Sequence, residues 1–255
     1  MRPRWSTGPA RLTLVRHGHS VGNHADSQAR EAGAEQLDLD VRDADVELSD
    51  TGREQADALA AWLAGCDDET RPTAAISSPY RRAAQTAERT LSGLPSEPGL
   101  HLDFDERLRE RDLGVLDGLT GTGIRARHPE EAARRGKLGK FYYQPPAGES
   151  WADVALRVRG LLDDLRHGFD GEHVWLFTHQ AVIMTFRYVL EGLSEEQILD
   201  VDRRLQIPNA SLTTYRRDGA FLELEQFART DHVDQADADV TREADQAGAG
   251  SREHD

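Results

Sequence analysis

The chain has 255 residues, enough for one large domain or two small ones, with hydrophobic residues at 38% and a formal net charge of −15. That acidic balance argues against a general nucleic-acid binder and against an anionic-membrane binder, both of which present a basic face. A single cysteine, Cys66, excludes an intrachain disulfide framework and a cysteine-rich zinc site; no stretch approaches the roughly 18 consecutive apolar residues of a transmembrane helix, and the first ten residues lack the apolar run of a secretory signal, so the expectation is a cytoplasmic globular protein.

Residues 1–9 are polar, contain two prolines and read as a flexible leader. Residues 11–15 form a short strand, with apolar side chains at 12, 14 and 15, that runs straight into Arg16-His17-Gly18. Residues 24–46 are long and polar and read as a loop with irregular helix. Ser49 opens a helix in which Ala56, Leu59, Ala60 and Leu63 recur at i, i+3, i+4, i+7, stopping near Gly65. Residues 73–76 are a second strand ending in Ser77-Ser78-Pro79, and Pro79 suits the first turn of a helix reaching Leu91. A third strand covers 100–104, and residues 121–143 read as helical with a basic exposed face. Residues 150–167 carry a strong amphipathic pattern. Residues 173–178 are a fourth strand, apolar at 174–177 and therefore buried on both faces. Helices follow at 181–190 and from Ser194 toward Val201, and the strands 210–215 and 221–227 flank the hairpin signal Asp218-Gly219. From 230 to 255 the chain is rich in Asp, Glu, Ala and Gly without apolar periodicity, which predicts a disordered acidic tail dispensable for activity. Between the two ends, residues 10–229 read as one domain.

Strands alternating with helices predict an α/β sheet covered on both faces, in which sites form where strand C-termini meet the next loop. Three polar segments fall at such places. Arg16, His17 and Gly18 follow the first strand; arginine offers a planar fork of donors to phosphate oxygens, histidine a base or nucleophile, and glycine a close backbone approach. Arg81 and Arg82 follow the second strand in the first turn of a helix, where cations oppose the helix dipole unless an anion is bound there. His179 follows the fourth strand, where a buried ring needs a partner.

On these residues the chain resembles the histidine phosphatase superfamily, the phosphoglycerate mutase-like enzymes, and its phosphatase branch in particular. Leu-Val-Arg-His-Gly-His-Ser-Val-Gly-Asn (14–23) is similar to the opening signature of that family. Ser-Ser-Pro-Tyr-Arg-Arg-Ala-Ala-Gln-Thr-Ala (77–87) is similar to its second arginine motif, and Leu-Arg-Glu-Arg-Asp-Leu-Gly-Val-Leu-Asp-Gly (108–118) to its acidic motif. Phe-Thr-His (177–179) matches its second histidine, and Pro-Pro-Ala-Gly-Glu-Ser with Asp153 and Val154 resembles a segment frequent in the phosphatase branch. The resemblance spans residues 11–227 and implies a three-layer α/β/α sandwich with a mostly parallel central sheet.

It also implies roles. His17 attacks phosphorus and becomes phosphohistidine; Arg16, Arg82 and His179 surround the phosphoryl oxygens; Asn23 contacts phosphate; Glu110, preferred over Glu106 by the spacing of the acidic motif, is general acid and then general base. No metal or other cofactor is implied, and the partner is a small phosphorylated substrate, with neither nucleic acid nor membrane. Ser20 lies within the opening signature. His19 stands where the family often has glutamate or glutamine, and Gln180 replaces a frequent glycine, so both are candidates for substrate contact. The expected activity is phosphomonoester hydrolysis. The alternatives are a mutase dependent on 2,3-bisphosphoglycerate, weakened by Leu119-Thr120-Gly121-Thr122-Gly123 after the acidic motif, and a phosphoanion-binding regulatory protein without turnover. Elsewhere the structural readings prevail. His24 and Asp26 belong to a polar loop, the basic run from Arg125 to Lys140 to a solvated helix face, Trp175 and Phe177 to the core, and Glu149 and Ser150 to a helix start. Tyr142, Tyr143 and Trp151 fit either packing or a pocket wall.

Overall fold

In chain order the elements are β1 (Arg11–Arg16), α1 (Val21–Glu31), α2 (Asp50–Ala64), β2 (Ala74–Ser77), α3 (Arg81–Leu91), β3 (Leu102–Phe104), α4 (Gly121–Arg127), α5 (Pro129–Leu138), α6 (Trp151–Gly168), β4 (His173–Thr178), α7 (Gln180–Glu191), α8 (Glu195–Arg204), β5 (Leu212–Asp218), β6 (Phe221–Arg229) and α9 (Asp231–Gln235). They come from a computed structural model that describes residues 2–94, 100–236 and 238–242.

The six strands form one sheet in the order β3-β2-β4-β1-β5-β6. β3, β2, β4 and β1 are parallel neighbours, and β5 and β6 add an antiparallel edge beside β1. Side chains alternate across the pleat, and the sequence exploits this. Leu12, Leu14, Val174 and Leu176 pack with α6 and α7, whose Val154, Val158, Leu161, Val182 and Phe186 complete the larger core. Val15, Trp175 and Phe177 face the opposite way, onto Leu59 and Leu63 of α2 and Ala87 of α3. Every residue of β4 is buried, and at about 1.5–3 kcal/mol for each large apolar side chain removed from water this strand anchors both layers. The result is the three-layer, mostly parallel α/β sandwich that the strand–helix alternation predicts.

Several segments differ from the sequence reading. The leader is packed: Trp5 is buried, its amide donates to the carbonyl of Ala220, and the Arg166 guanidinium lies over its ring. Burial of one indole outweighs the polarity of its neighbours. The 24–46 segment begins within a regular helix, α1, nucleated by a capping box in which Ser20 and Asn23 exchange side-chain-to-backbone hydrogen bonds. Its buried residues are Asn23, Ala25 and Ala29, too small to print an apolar stripe. Pro79 precedes α3 by two residues, because Ser78 Oγ accepts from the Tyr80 amide and holds the chain extended. The 121–143 helix is split at His128, whose backbone is driven out of the helical region by Pro129. The tail is ordered at its start. α9 buries His232 and Val233, and residues 238–242 continue along the body of the domain; residues 243–255 of the expected disordered tail lie outside the described residues. No helix of the described residues is long and apolar enough to cross a membrane.

Candidate active site

β1, β2 and β4 are adjacent strands, and their C-terminal ends deliver the three polar segments to one place. The His17 amide donates to the carbonyl of Thr178, tying the end of β1 to the end of β4, and the Ser78 amide does the same to Phe177. Gly18 and Gly52 let this loop settle onto the start of α2. A Cβ on Gly18 would sit 2.6 Å from the Gly52 carbonyl oxygen, and one on Gly52 would sit 1.8 Å from the His19 carbonyl oxygen. Thr86 Oγ1 accepts from the Gly18 amide at 3.0 Å.

His17 is buried, and its Nδ1 donates to the Gly18 carbonyl at 2.8 Å. That bond fixes the proton on Nδ1 and leaves Nε2 with its lone pair. Burial, reinforced by the Arg82 and Arg16 charges, pushes its pKa well below the usual imidazole range, so the ring is neutral at physiological pH. The His179 ring stands 5.1 Å from the His17 ring, centroid to centroid, and its Nε2 shares a 2.9 Å hydrogen bond with Ser78 Oγ. Burial, followed by Arg82 and His17, lowers its pKa in the same way. Arg16 is wholly buried and donates to the carbonyl of Ile207. Arg82, at the second position of α3, is held by the backbone carbonyl and the carboxylate of Asp43. Arg81 turns outward to Glu47.

A cavity of about 560 Å³ opens on these groups. His17, Arg82, Glu110, Asn23, Ser20 and Gln180 line it, and the wholly buried Arg16 and His179 are not among its lining residues. Glu110 accepts from the Arg111 amide through Oε1 at 2.7 Å. Its backbone is braced by Arg157, which donates to the carbonyls of Arg107 and Glu110 and pairs with Glu149 at 3.0 Å. Glu106 sits in a short 3₁₀ turn on the exposed side. His19 does not line the cavity: its Nδ1 bonds Ser49 Oγ at 2.8 Å. Ser20 and Asn23 line the wall while also capping α1, and Asn23 Oδ1 accepts from Asn209 Nδ2 at 3.3 Å as well.

Sequence reasoning missed Asp43, Tyr80, Arg111 and Arg157. Asp43 comes from the polar segment whose path no pattern predicts. Tyr80 packs edge-on to His179 at 5.3 Å. Arg111 was hidden inside the acidic motif: its side chain lines the cavity and its buried Nε has no hydrogen-bond partner. Burial, then repulsion from Arg135, lowers its pKa to about 10, which still leaves a cation at neutral pH. Lys140, paired with Asp202 and lying 5.5 Å from the Trp151 ring centre, lines the same wall. The expectation of a solvated basic run therefore fails at its last residue. Trp151 both packs in the core and faces the cavity. Among the described residues no cluster of His, Cys, Asp and Glu is arranged to hold a metal ion.

The sequence pattern of the histidine phosphatase superfamily (branch 1) matches residues 12–230. The chain belongs to that superfamily. Its mycobacterial structural relative, a glucosyl-3-phosphoglycerate phosphatase solved with inorganic phosphate, superposes with a TM-score of 0.67 at 28% identity, over 88% of this chain and 99% of the relative. A 2,3-bisphosphoglycerate-dependent phosphoglycerate mutase of Allorhizobium ampelinum is 32% identical over 81% of this chain and 94% of the mutase. A Caenorhabditis elegans 6-phosphofructo-2-kinase/fructose-2,6-bisphosphatase is 31% identical over 69% of this chain, which spans only 33% of that longer protein. The superfamily thus surrounds this chain with both phosphatases and mutases.

Proposed function

We propose that the protein is a phosphomonoester hydrolase that works through a phosphohistidine on His17. The observation that carries this reading is the neutral, tautomer-fixed His17 at the floor of a cavity that also presents Arg82 and Glu110. Nε2 of His17 attacks phosphorus as the ester P–O bond breaks, and the leaving oxygen takes the proton of the Glu110 carboxyl. Arg16, Arg82 and His179 stabilise the negative charge on the equatorial oxygens. Water then attacks the phosphohistidine, Glu110 accepts its proton, and inorganic phosphate leaves with His17 regenerated. Asn23, Ser20 and Gln180 line the route by which substrate reaches this centre. Arg111 and Lys140, which also line the cavity, favour a small substrate that carries a second anionic group beyond the phosphate.

The test is phosphate release from a panel of phosphomonoesters, with a chelator present, by wild type and His17→Ala. Turnover by wild type that disappears in the variant, with acid-labile phosphate trapped on His17, is the expected result. Unchanged turnover in His17→Ala overturns the mechanism. The coverage of the Allorhizobium mutase favours one second reading, and the same assay run on 3-phosphoglycerate separates the two: the hydrolase releases phosphate, whereas a mutase returns an isomer.

A further inference from the structure

The C-terminal segment closes a hydrogen-bond circuit beneath the nucleophile. Gln55, wholly buried in α2, accepts from the His19 amide through Oε1 at 2.8 Å, and its Nε2 donates to Thr241 Oγ1 at 2.9 Å and to the carbonyl of Asp239 at 2.6 Å. Thr241 Oγ1 donates in turn to Asn209 Oδ1 at 3.0 Å, and the Asn209 amide donates back to the Thr241 carbonyl at 3.0 Å. Buried Asn209 then donates through Nδ2 to the His17 carbonyl at 3.2 Å and to Asn23 Oδ1 at 3.3 Å. The two backbone groups that bracket Gly18, the carbonyl of His17 and the amide of His19, are therefore gripped by two side-chain amides, and one hydroxyl joins the two.

An amide can be rotated by half a turn with little change in shape, but its donor and acceptor exchange. A flipped Asn209 would aim Oδ1 at the His17 carbonyl, oxygen against oxygen, and a flipped Gln55 would aim an amino group at the His19 amide. The fixed backbone groups, the His19 amide, the Asp239 carbonyl and the His17 carbonyl, oppose both flips, and the Thr241 hydroxyl couples the two amides by accepting from Gln55 while donating to Asn209. We infer that Thr241 is a positioning residue for the nucleophile loop, and that the chain after β6 is part of the apparatus that holds His17 and Asn23 in register. This inference rests on the reading of His17 as nucleophile, and it replaces the expectation that the tail is dispensable.

The test uses the full chain carrying Thr241→Val, which keeps the shape and removes the hydroxyl, and Thr241→Ser, which restores it. In Thr241→Val, kcat is expected to fall about tenfold with KM within twofold, because a displaced nucleophile slows chemistry more than binding. Thr241→Ser is expected to recover most of the loss, and amide hydrogen exchange at His19 is expected to quicken only in the valine variant. A kcat within twofold of wild type in Thr241→Val overturns the inference, as does a loss that tracks the melting temperature and is not recovered by serine. If wild type itself turns over none of the panel, it is the proposed function that fails. Exchange at His19 then decides the circuit alone, and unchanged exchange in Thr241→Val removes it.

Discussion

Nη1 of Arg82 lies 3.0 Å from the carboxylate of Asp43 and 2.6 Å from its backbone carbonyl oxygen, so the guanidinium proposed to bind the phosphoryl group is already occupied by a carboxylate from the same chain. A phosphate ester entering the cavity must displace that carboxylate or share the fork with it. Charge-assisted hydrogen bonds of this kind contribute about 1.5–3 kcal/mol. Asp43→Asn is therefore expected to tighten inhibition by orthovanadate on the order of tenfold. A competition assay measures this, and weaker inhibition in the variant would show that Asp43 supports anion binding instead.

In the proposed mechanism Glu110 gives the leaving oxygen its proton, so its removal should matter in proportion to the basicity of the leaving group. Glu110→Gln is expected to lower kcat by about 10²–10³ for alkyl phosphates and much less for aryl phosphates with acidic phenols. Parallel assays on the two ester types decide it, and equal losses would place the general acid elsewhere.

Arg111 offers a cation within the cavity wall. Arg111→Met is expected to raise KM by about tenfold for a phosphomonoester that also bears a carboxylate, while KM for a simple alkyl phosphate moves little. Equal effects on both substrates would detach Arg111 from the second anionic group.

Gly52 has no room for a side chain, since a Cβ there would meet the His19 carbonyl oxygen at 1.8 Å and the obstacle is backbone. Gly52→Ala is expected to cost about 1–3 kcal/mol, read as a lower denaturant midpoint, and to reduce turnover by shifting the nucleophile loop. A variant as stable and as active as wild type would mean that the loop tolerates displacement.

Acid should destabilise the fold through its buried histidines. The Trp175 Nε1–H donates to His173 Nε2, so that ring is neutral, and burial, with Arg11 nearby, lowers its pKa to about 4. Burial also brings His232 to about 4. The unfolded chain takes up these protons near pH 6.5 and the native state does not, so stability falls as pH drops from about 6.5 to about 4 and is flat, for these two groups, above that window. Each contributes about 3 kcal/mol over the full range. Melting temperature followed across that interval checks the sign, and a rise on acidification would refute it.

What the sequence disclosed, and what it withheld, divides along a physical line. α6 was legible because its apolar residues repeat with the period of a helix, and β1 and β4 because a short apolar run between polar segments is what a strand buried on both faces requires. The meeting of His17, Arg82, Glu110 and His179 in one place was legible because each follows a strand or sits within a motif that resembles the family. Asp43 and Thr241 were not, because neither belongs to a repeating pattern: one reaches the site along an irregular polar path, the other across about 30 residues of sequence from Asn209. Trp5 and α9 were misread for a related reason, since a few buried side chains in a polar stretch order a segment without altering its composition.

β1 leads directly into His17, yet its ladder partners are β4 and β5, so Arg11 pairs with His173 and with Arg216. During synthesis at about 5–20 residues per second, the first strand waits roughly 10–30 s for its neighbours to leave the ribosome. Throughout that delay Leu12, Leu14 and Val15 have no sheet to join, and the closing contacts join segments roughly 160 residues apart, a topology that folds slowly. The complete centre around His17 is therefore among the last parts of the molecule to exist, and a nascent chain stalled before β4 holds His17 without the neighbouring strand and without the His179 ring beside it.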